Sequence, residues 1–367
     1  MFDLNLAKVS NALNVNYNLL LELNTKNEND IKRIGLNGKI KLLTVRRYEA
    51  TEINRELLKG KPGSKYHNYD QDYVFNRKGN LIEKIEYFND GKVYQRWLCI
   101  YNEIGKLIQT NYYNSYDSIC DNLTYRYTYK YDINGLLIER KLIYADGSHR
   151  NLWTYKYDSD RLIEYNNKHT IGDFSEKWIY KYGSNGKLVE KNNLESNSNV
   201  RRRYTYQYDK TDRKILEIWY SPDKLVEWLY IFNYANNQLV EEISLITDDY
   251  SRKTYHHNEK GNKVKEQRFT TNDELSWYYI YNYDNFGNLI RKDYYNSSDK
   301  IAETTNKFEY NESGNLVVES KNHSENIVLE KCVNEYNDKG NLKNSKTFFY
   351  LNHIPEYITE RIITHYE

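Results

Sequence analysis

The chain is short of the residues that usually staple a fold or mark a cofactor. Its three cysteines, Cys99, Cys120 and Cys332, are odd in number and lack metal-type spacing, which argues against a disulfide framework and a zinc motif. Its sixteen glycines are rarely clustered, so no Gly-rich phosphate loop is present. Neither sign of charge prevails: 53 Lys and Arg face 52 Asp and Glu, a formal net charge of +1. That removes the basic excess of a nucleic-acid binder and the acidic tail of a solvating segment. No long apolar run exists either. Leu19-Leu20-Leu21 is too short for a signal peptide core or a membrane span, so the expected location is cytoplasmic, or the cell surface if a leader precedes this sequence. A mean hydropathy of -0.93 would suit a disordered chain, but 15% aromatic residues and forty tyrosines do not.

What is abundant is repetition. An aromatic residue, Asn or Asp, two variable residues, Gly, any residue and Leu recur with anchors at Phe75, Tyr101, Tyr131, Tyr157, Tyr182, Tyr208, Tyr234, His257, Tyr283, Tyr310 and Tyr336, eleven copies with a period of about 26. Asn or Asp follows the anchor in nine copies and Gly stands four places after it in eight, Arg161, Asp212 and Gln238 being the exceptions. This is turn chemistry, since Asx side chains bond their own backbone and Gly accepts positive φ. Upstream the chain alternates, as in Tyr125-Arg126-Tyr127-Thr128-Tyr129-Lys130-Tyr131, so each run is a strand with one aromatic face. A second turn midway, such as Asp90-Gly91 or Asp146-Gly147, divides each copy into two strands. The reading is an all-β fold: an elongated, twisted or spiral antiparallel sheet of β-hairpin repeats, with closure of the sheet left open by the repeat pattern.

The phrase Tyr-Asp-x-x-Gly-x-Leu, at Tyr131 to Leu137 and Tyr283 to Leu289, resembles the YD repeat of the Rhs family of bacterial proteins. The resemblance covers about residues 70 to 345. It implies a repeat scaffold of the kind that winds into a toxin-enclosing β-shell, and it carries no catalytic residue across. This chain is much shorter than a full shell.

The expected organisation is an N-terminal helical cap over 1–30, from Leu6, Val9, Leu13, Tyr17 and Leu20 at helical spacing; capping strands and a loop over 31–72; the repeat array over 73–345; and a capping strand over 346–367, read as an edge because it contains Pro355.

Candidate sites fall among the residues that turns and strands leave unexplained. Aspartates such as Asp132 and Asp284 read as turn caps, and Glu83, Glu139 and Glu190 as ladders with Lys and Arg on a solvated face. Trp97, Trp153, Trp178, Trp228 and Trp277 share the tyrosine face and are the candidate partner- or ligand-binding residues, with the phrase-breaking Arg161, Gln238 and His257. Asn334 also breaks the pattern. A packed aromatic face is the favoured reading over an exposed one. No catalytic residue, metal site or cofactor is expected. The function read from these features is a non-enzymatic scaffold that grips a protein partner, such as an accessory or immunity-like component of a bacterial toxin system. A carbohydrate-binding surface protein is the alternative, while nucleic acid and membrane are not expected as partners.

Overall fold

The computed structural model describes residues 31, 39–53, 56–62, 70–114, 122–170, 175–195, 199–246, 249–297, 299, 301–323, 327–338, 340–351 and 354–366. The expected helix over 1–30 lies outside these residues.

Each phrase folds as its turn chemistry dictates. In the third copy Asp132 Oδ1 accepts the N–H groups of Asn134 at 3.0 Å and Leu136 at 2.8 Å, while Gly135 reverses the chain at φ 80°. Copies without the glycine solve the same problem differently. Asp212 takes the left-handed conformation itself at φ 63°, and the Gln238 copy turns on Asn236 and Asn237, at φ 50° and 63°. Between the turns the alternating segments form strands, twenty-five among the described residues, each paired antiparallel to its chain neighbours wherever the register is defined.

Two features of the repeat are not written in its alternation. Where the anchor meets the phrase leucine, the register slips by one: Tyr101 pairs with Leu107 and Ile100 with Gln109, so Ile108 is skipped. The same slip leaves Ile82, Val189 and Ile290 unpaired in other copies. Such bulges increase local twist and bend the strand. The anchor tyrosine, moreover, is a hydrogen-bond donor. Tyr101 Oη donates to Leu81 O at 2.8 Å, Tyr182 to Leu162 O at 2.9 Å, Tyr208 to Leu188 O at 2.9 Å and Tyr283 to Lys263 O at 2.8 Å. Each phenol thus ties its copy to the copy before it, in a bond contributing about 0.5–1.5 kcal/mol.

The elongated, spiral repeat sheet expected from the sequence is corrected by the pairing of the chain's two ends. The opening strand Ile40–Ile53 runs antiparallel to Asp70–Phe75 through Leu42 to Val45, and to the closing strand Ile354–His365 from Ile40 to Glu49. The closing strand also pairs with Leu342–Leu351. All twenty-five strands belong to one sheet, so the ladder returns to its start and the sheet is closed; only Glu56–Pro62 stands outside the circuit, paired with the end of the opening strand. The reason is the capping segments themselves: each carries a full-length strand with a free ladder on one side, and the two satisfy each other. The strand holding Pro355 is therefore not an edge. Its proline faces Tyr350 just beyond the Tyr357–Glu49 pair where the ladder to the opening strand ends.

Contacts divide the chain into two compact units. One comprises Met1–Arg150, Glu309–Ser320 and Val328–Glu367, the other Asn151–Phe308 and Lys321–Ile327. The first contains a tight apolar cluster, Ile31, Ile40, Leu43, Val45, Tyr73, Phe75, Leu81 and Ile363, at the seam where the sheet closes.

Candidate partner-binding face

The strand register assigns every residue to one of two faces. On the first strand of each copy the tyrosine face carries rings. On the second strand the same face carries charge, nine places after the anchor, at Lys84, Arg140, Lys191, Glu217, Glu266 and Lys292. Ammonium groups therefore lie against rings: Lys84 Nζ is 4.7 Å from the Trp97 ring centre, and Lys191 Nζ is 4.5 Å from Tyr204 and 5.4 Å from Trp178.

The two units use this face differently. In the first, Trp97 is 4% exposed, tilted on Tyr112 at 5.2 Å, and Tyr73, Tyr127 and Tyr129 are buried with it. The packed reading holds here. In the second unit, Trp153 and Tyr204 are buried, but Trp178, Trp219, Trp228, Tyr230 and Phe232 are only half-buried. Tyr204 meets Trp219 edge-on at 5.1 Å, and Trp219 stacks on Trp228 at 4.7 Å with their planes 8° apart. Carboxylates orient the indoles: Trp178 Nε1 donates to Glu176 and Trp219 Nε1 to Glu217, each at 2.7 Å. Glu217 is held in turn by Lys214 Nζ at 2.6 Å.

Of the residues singled out from the sequence, Trp178 and Trp228 thus belong to one row, joined through Tyr204 and Trp219. Trp153 precedes them on the same unit, paired with Asn167. Trp277 sits with Tyr279 at 5.4 Å and Tyr294 at 6.4 Å, and Trp97 lies in the other unit. The phrase-breakers have structural partners at the turns. The Arg161 guanidinium lies over the Tyr182 ring at 5.9 Å and against Gly186, where a Cβ would come within 2.7 Å of it. Gln238 Nε2 donates to Gly261 O at 3.0 Å. Asn334 Nδ2 shares Leu316 O with the Tyr336 hydroxyl, at 3.0 and 2.8 Å. His257 replaces the anchor phenol, and burial, then Lys263 and His256, lower its pKa, which favours the neutral imidazole. Trp219 was missed because it stands on a second strand. The alternation Glu217-Ile218-Trp219 was the signal that could have found it.

The opposite face is a charge ladder, as expected for Glu83, Glu139 and Glu190. Glu83 meets Arg96 at 2.6 Å; Glu139 meets Lys130 at 2.9 Å and Lys141 at 3.5 Å; Glu164 meets Lys156 at 2.8 Å and Lys177 at 3.2 Å; Glu190 meets Lys181 at 2.7 Å and Arg203 at 2.6 Å. Hydrogen bonds from Lys156 and Asn166 hold the Glu164 carboxyl down at about 2. Burial pushes Glu190 up, but Lys181, Asn192 and Arg203 outweigh it and bring it to about 2. Both lie below the ordinary value of 4.5, so their stabilisation is present above about pH 4.5 and is lost as pH falls toward 2. Thermal melts between pH 7 and 2.5 should show a decline confined to that window, and Glu190→Gln should make it shallower. An equal decline in wild type and variant would remove Glu190 as a source.

No protein-family profile matches the chain, and no curated protein matches it. Among solved structures it is similar to TcdB2-TccC3 without the hypervariable C-terminal region, at 14% identity over 77% of this chain and 17% of that one, with a TM-score of 0.33. TcdB2-TccC3-TEV is 10% identical over 83% of this chain and 21% of that one, with a TM-score of 0.32. A porin-like protein from Bacteroides uniformis ATCC 8492 is 10% identical over 89% of this chain and 97% of that one, with a TM-score of 0.27. The chain thus spans about a fifth of the length of the two TcdB2-TccC3 chains.

Proposed function

We propose that the chain is a non-enzymatic β-repeat scaffold that binds a protein partner through the tyrosine face of the unit Asn151–Phe308. The observation that carries this reading is the row Trp178, Tyr204, Trp219 and Trp228, whose indoles are half-exposed and interleaved with Lys191 and Glu217. Large aromatic rings, Trp and Tyr above all, are what protein interfaces concentrate at their centres. Stacking on a sugar requires a free ring face, whereas Trp219 and Trp228 turn theirs to each other and Lys191 covers Trp178. Protein is therefore favoured over carbohydrate. Closure of the sheet leaves no free strand edge in its circuit, so the partner docks on side chains rather than adding a strand.

A closed sheet is also one of the two ways to span a bilayer, but a lipid-facing surface needs an apolar band. Here both faces carry mid-strand charge, Glu164 and Glu190 on one and Lys191 and Glu217 on the other, which supports a protein that is not embedded in lipid. The narrower setting, an accessory or immunity-like component of a bacterial toxin system acting in the cytoplasm, is part of the proposal and is supported by the resemblance of the repeat phrase to the Rhs family.

The test is a photo-reactive phenylalanine analogue at Trp228, with one at Ile218 on the opposite face as control, irradiated in native cells. A discrete protein adduct from position 228, absent from 218 and abolished by Trp219→Ala, is expected. Glycan binding by the purified chain with no adduct would replace the protein partner by a sugar.

A further inference from the structure

At the seam of the first unit, cations on the tyrosine face are neutralised. Lys84 Nζ is 2.8 Å from Glu86 and lies between the Tyr73 and Trp97 rings. Arg361 differs. Its Nε is shut off from solvent and donates to nothing, and among the described residues it has no ion-pair partner. The residue as a whole keeps some exposure, so the group can be reached.

The register gives Arg361 its neighbours. It stands opposite Ser345 on one side and Val45 on the other, while Thr359, two residues earlier on the same face, stands opposite Thr347 and Arg47. Ser345, Thr347, Thr359 and Arg47 are all buried. Two guanidinium-bearing residues and three small hydroxyl residues therefore share one patch. Glu330, Cys332 and Tyr73 face it too, and burial, with Arg47 adding to it, pushes the Arg361 pKa down while Cys332, Tyr73 and Glu330 oppose. A guanidinium does not release its proton at working pH, and a buried charge needs a counter-charge with hydrogen bonds.

We propose that Arg361 and Arg47, with the hydroxyls of Ser345, Thr347 and Thr359, form a binding site for a small exchangeable oxyanion, a carboxylate or a phosphate. A planar guanidinium with adjacent hydroxyls matches the paired acceptors of either group. The site belongs to the first unit and does not depend on the partner-binding row of the second.

The experiment uses the full chain with inorganic phosphate and, separately, acetate, at ionic strength held constant with sodium chloride. A saturable rise in Tm of about 2–4 °C is expected with at least one of them. Broadening of the phosphate ³¹P signal should accompany a phosphate response. Arg361→Gln and Arg47→Gln should each remove the rise, while Arg203→Gln on the opposite face should keep it. If neither anion shifts Tm or the ³¹P line of the wild-type chain, the proposal is overturned, since a carboxylate of the chain itself or nothing then fills the position. A rise that survives Arg361→Gln overturns it equally.

Discussion

Removal of the closing strand, by truncation before Ile354, should abolish cooperative folding of the seam and leave a species that associates. The strand is bonded along both sides, to Ile40 through Glu49 and to Asn344 through Leu351. It also buries Ile363 against the cluster of Ile40, Leu43 and Val45, and Ile358, 1% exposed, on its other face. Burying each isoleucine stabilises by about 1.5–3 kcal/mol, a large share of the roughly 5–15 kcal/mol that separates folded from unfolded domains. Two further ties go with it: the Lys59–Glu360 ion pair and the Tyr366 hydroxyl bond to Phe75 O at 2.6 Å. The truncated chain exposes two full-length edges, which are templates for pairing with other chains. Calorimetry and light scattering should therefore show a broad, weakened transition and higher-order species. A monomer with the wild-type Tm would mean that closure contributes nothing to stability.

Trp97→Ala should be the most damaging single substitution in the aromatic face, costing about 3–5 kcal/mol. The indole is buried against Tyr112 and roofs Lys84, which is itself only 4% exposed. Alanine leaves a cavity beside an ammonium that has lost one of its two rings and still must be held by Glu86. Trp97→Phe should be far milder, because the indole N–H is buried with no acceptor and phenylalanine removes that unsatisfied donor. Trp228→Ala, on a half-exposed ring, should fall between. Urea midpoints order the three variants. Equal midpoints for Trp97→Ala and Trp228→Ala would erase the distinction between the packed and open parts of the face.

The sequence is most readable where physics is local. Asp132 and Gly135 announce their turn because the bonds that make it span two to four residues. Glu190 announces its ladder because partners on adjacent strands recur at the repeat period. Closure was invisible for the opposite reason: whether Val45 meets Arg361 depends on how twist accumulates over the whole array, and no periodic pattern encodes that sum. The bulge at Ile108 hid because a skipped residue looks like any other β-branched strand residue. The contacts of the phrase-breakers with the next turn along, Arg161 packed on Gly186 and Gln238 bonded to Gly261 O, were equally hidden, since they join residues more than twenty apart. Of the candidate face, the five tryptophans were legible by alternation, but their differing exposure was not, because burial depends on what packs over each ring.

The tyrosine hydroxyl bonds have a consequence for the order in which the molecule comes into being. Each reaches back twenty residues in most copies, as from Tyr208 to Leu188, to a carbonyl already made when the tyrosine emerges. A copy can therefore be fastened as soon as its own strand is synthesised, and assembly from the N-terminus by short-range steps is the expected order, because short loops close fast. At His257 there is no phenol to fasten with, and the eighth copy is tied to the seventh by its strand ladder and by the Gln238 bond to Gly261 O. The last bond is of another kind: Tyr366 to Phe75 spans 291 residues, so the slow step of folding is expected to be the final one, when the finished ribbon finds its own beginning.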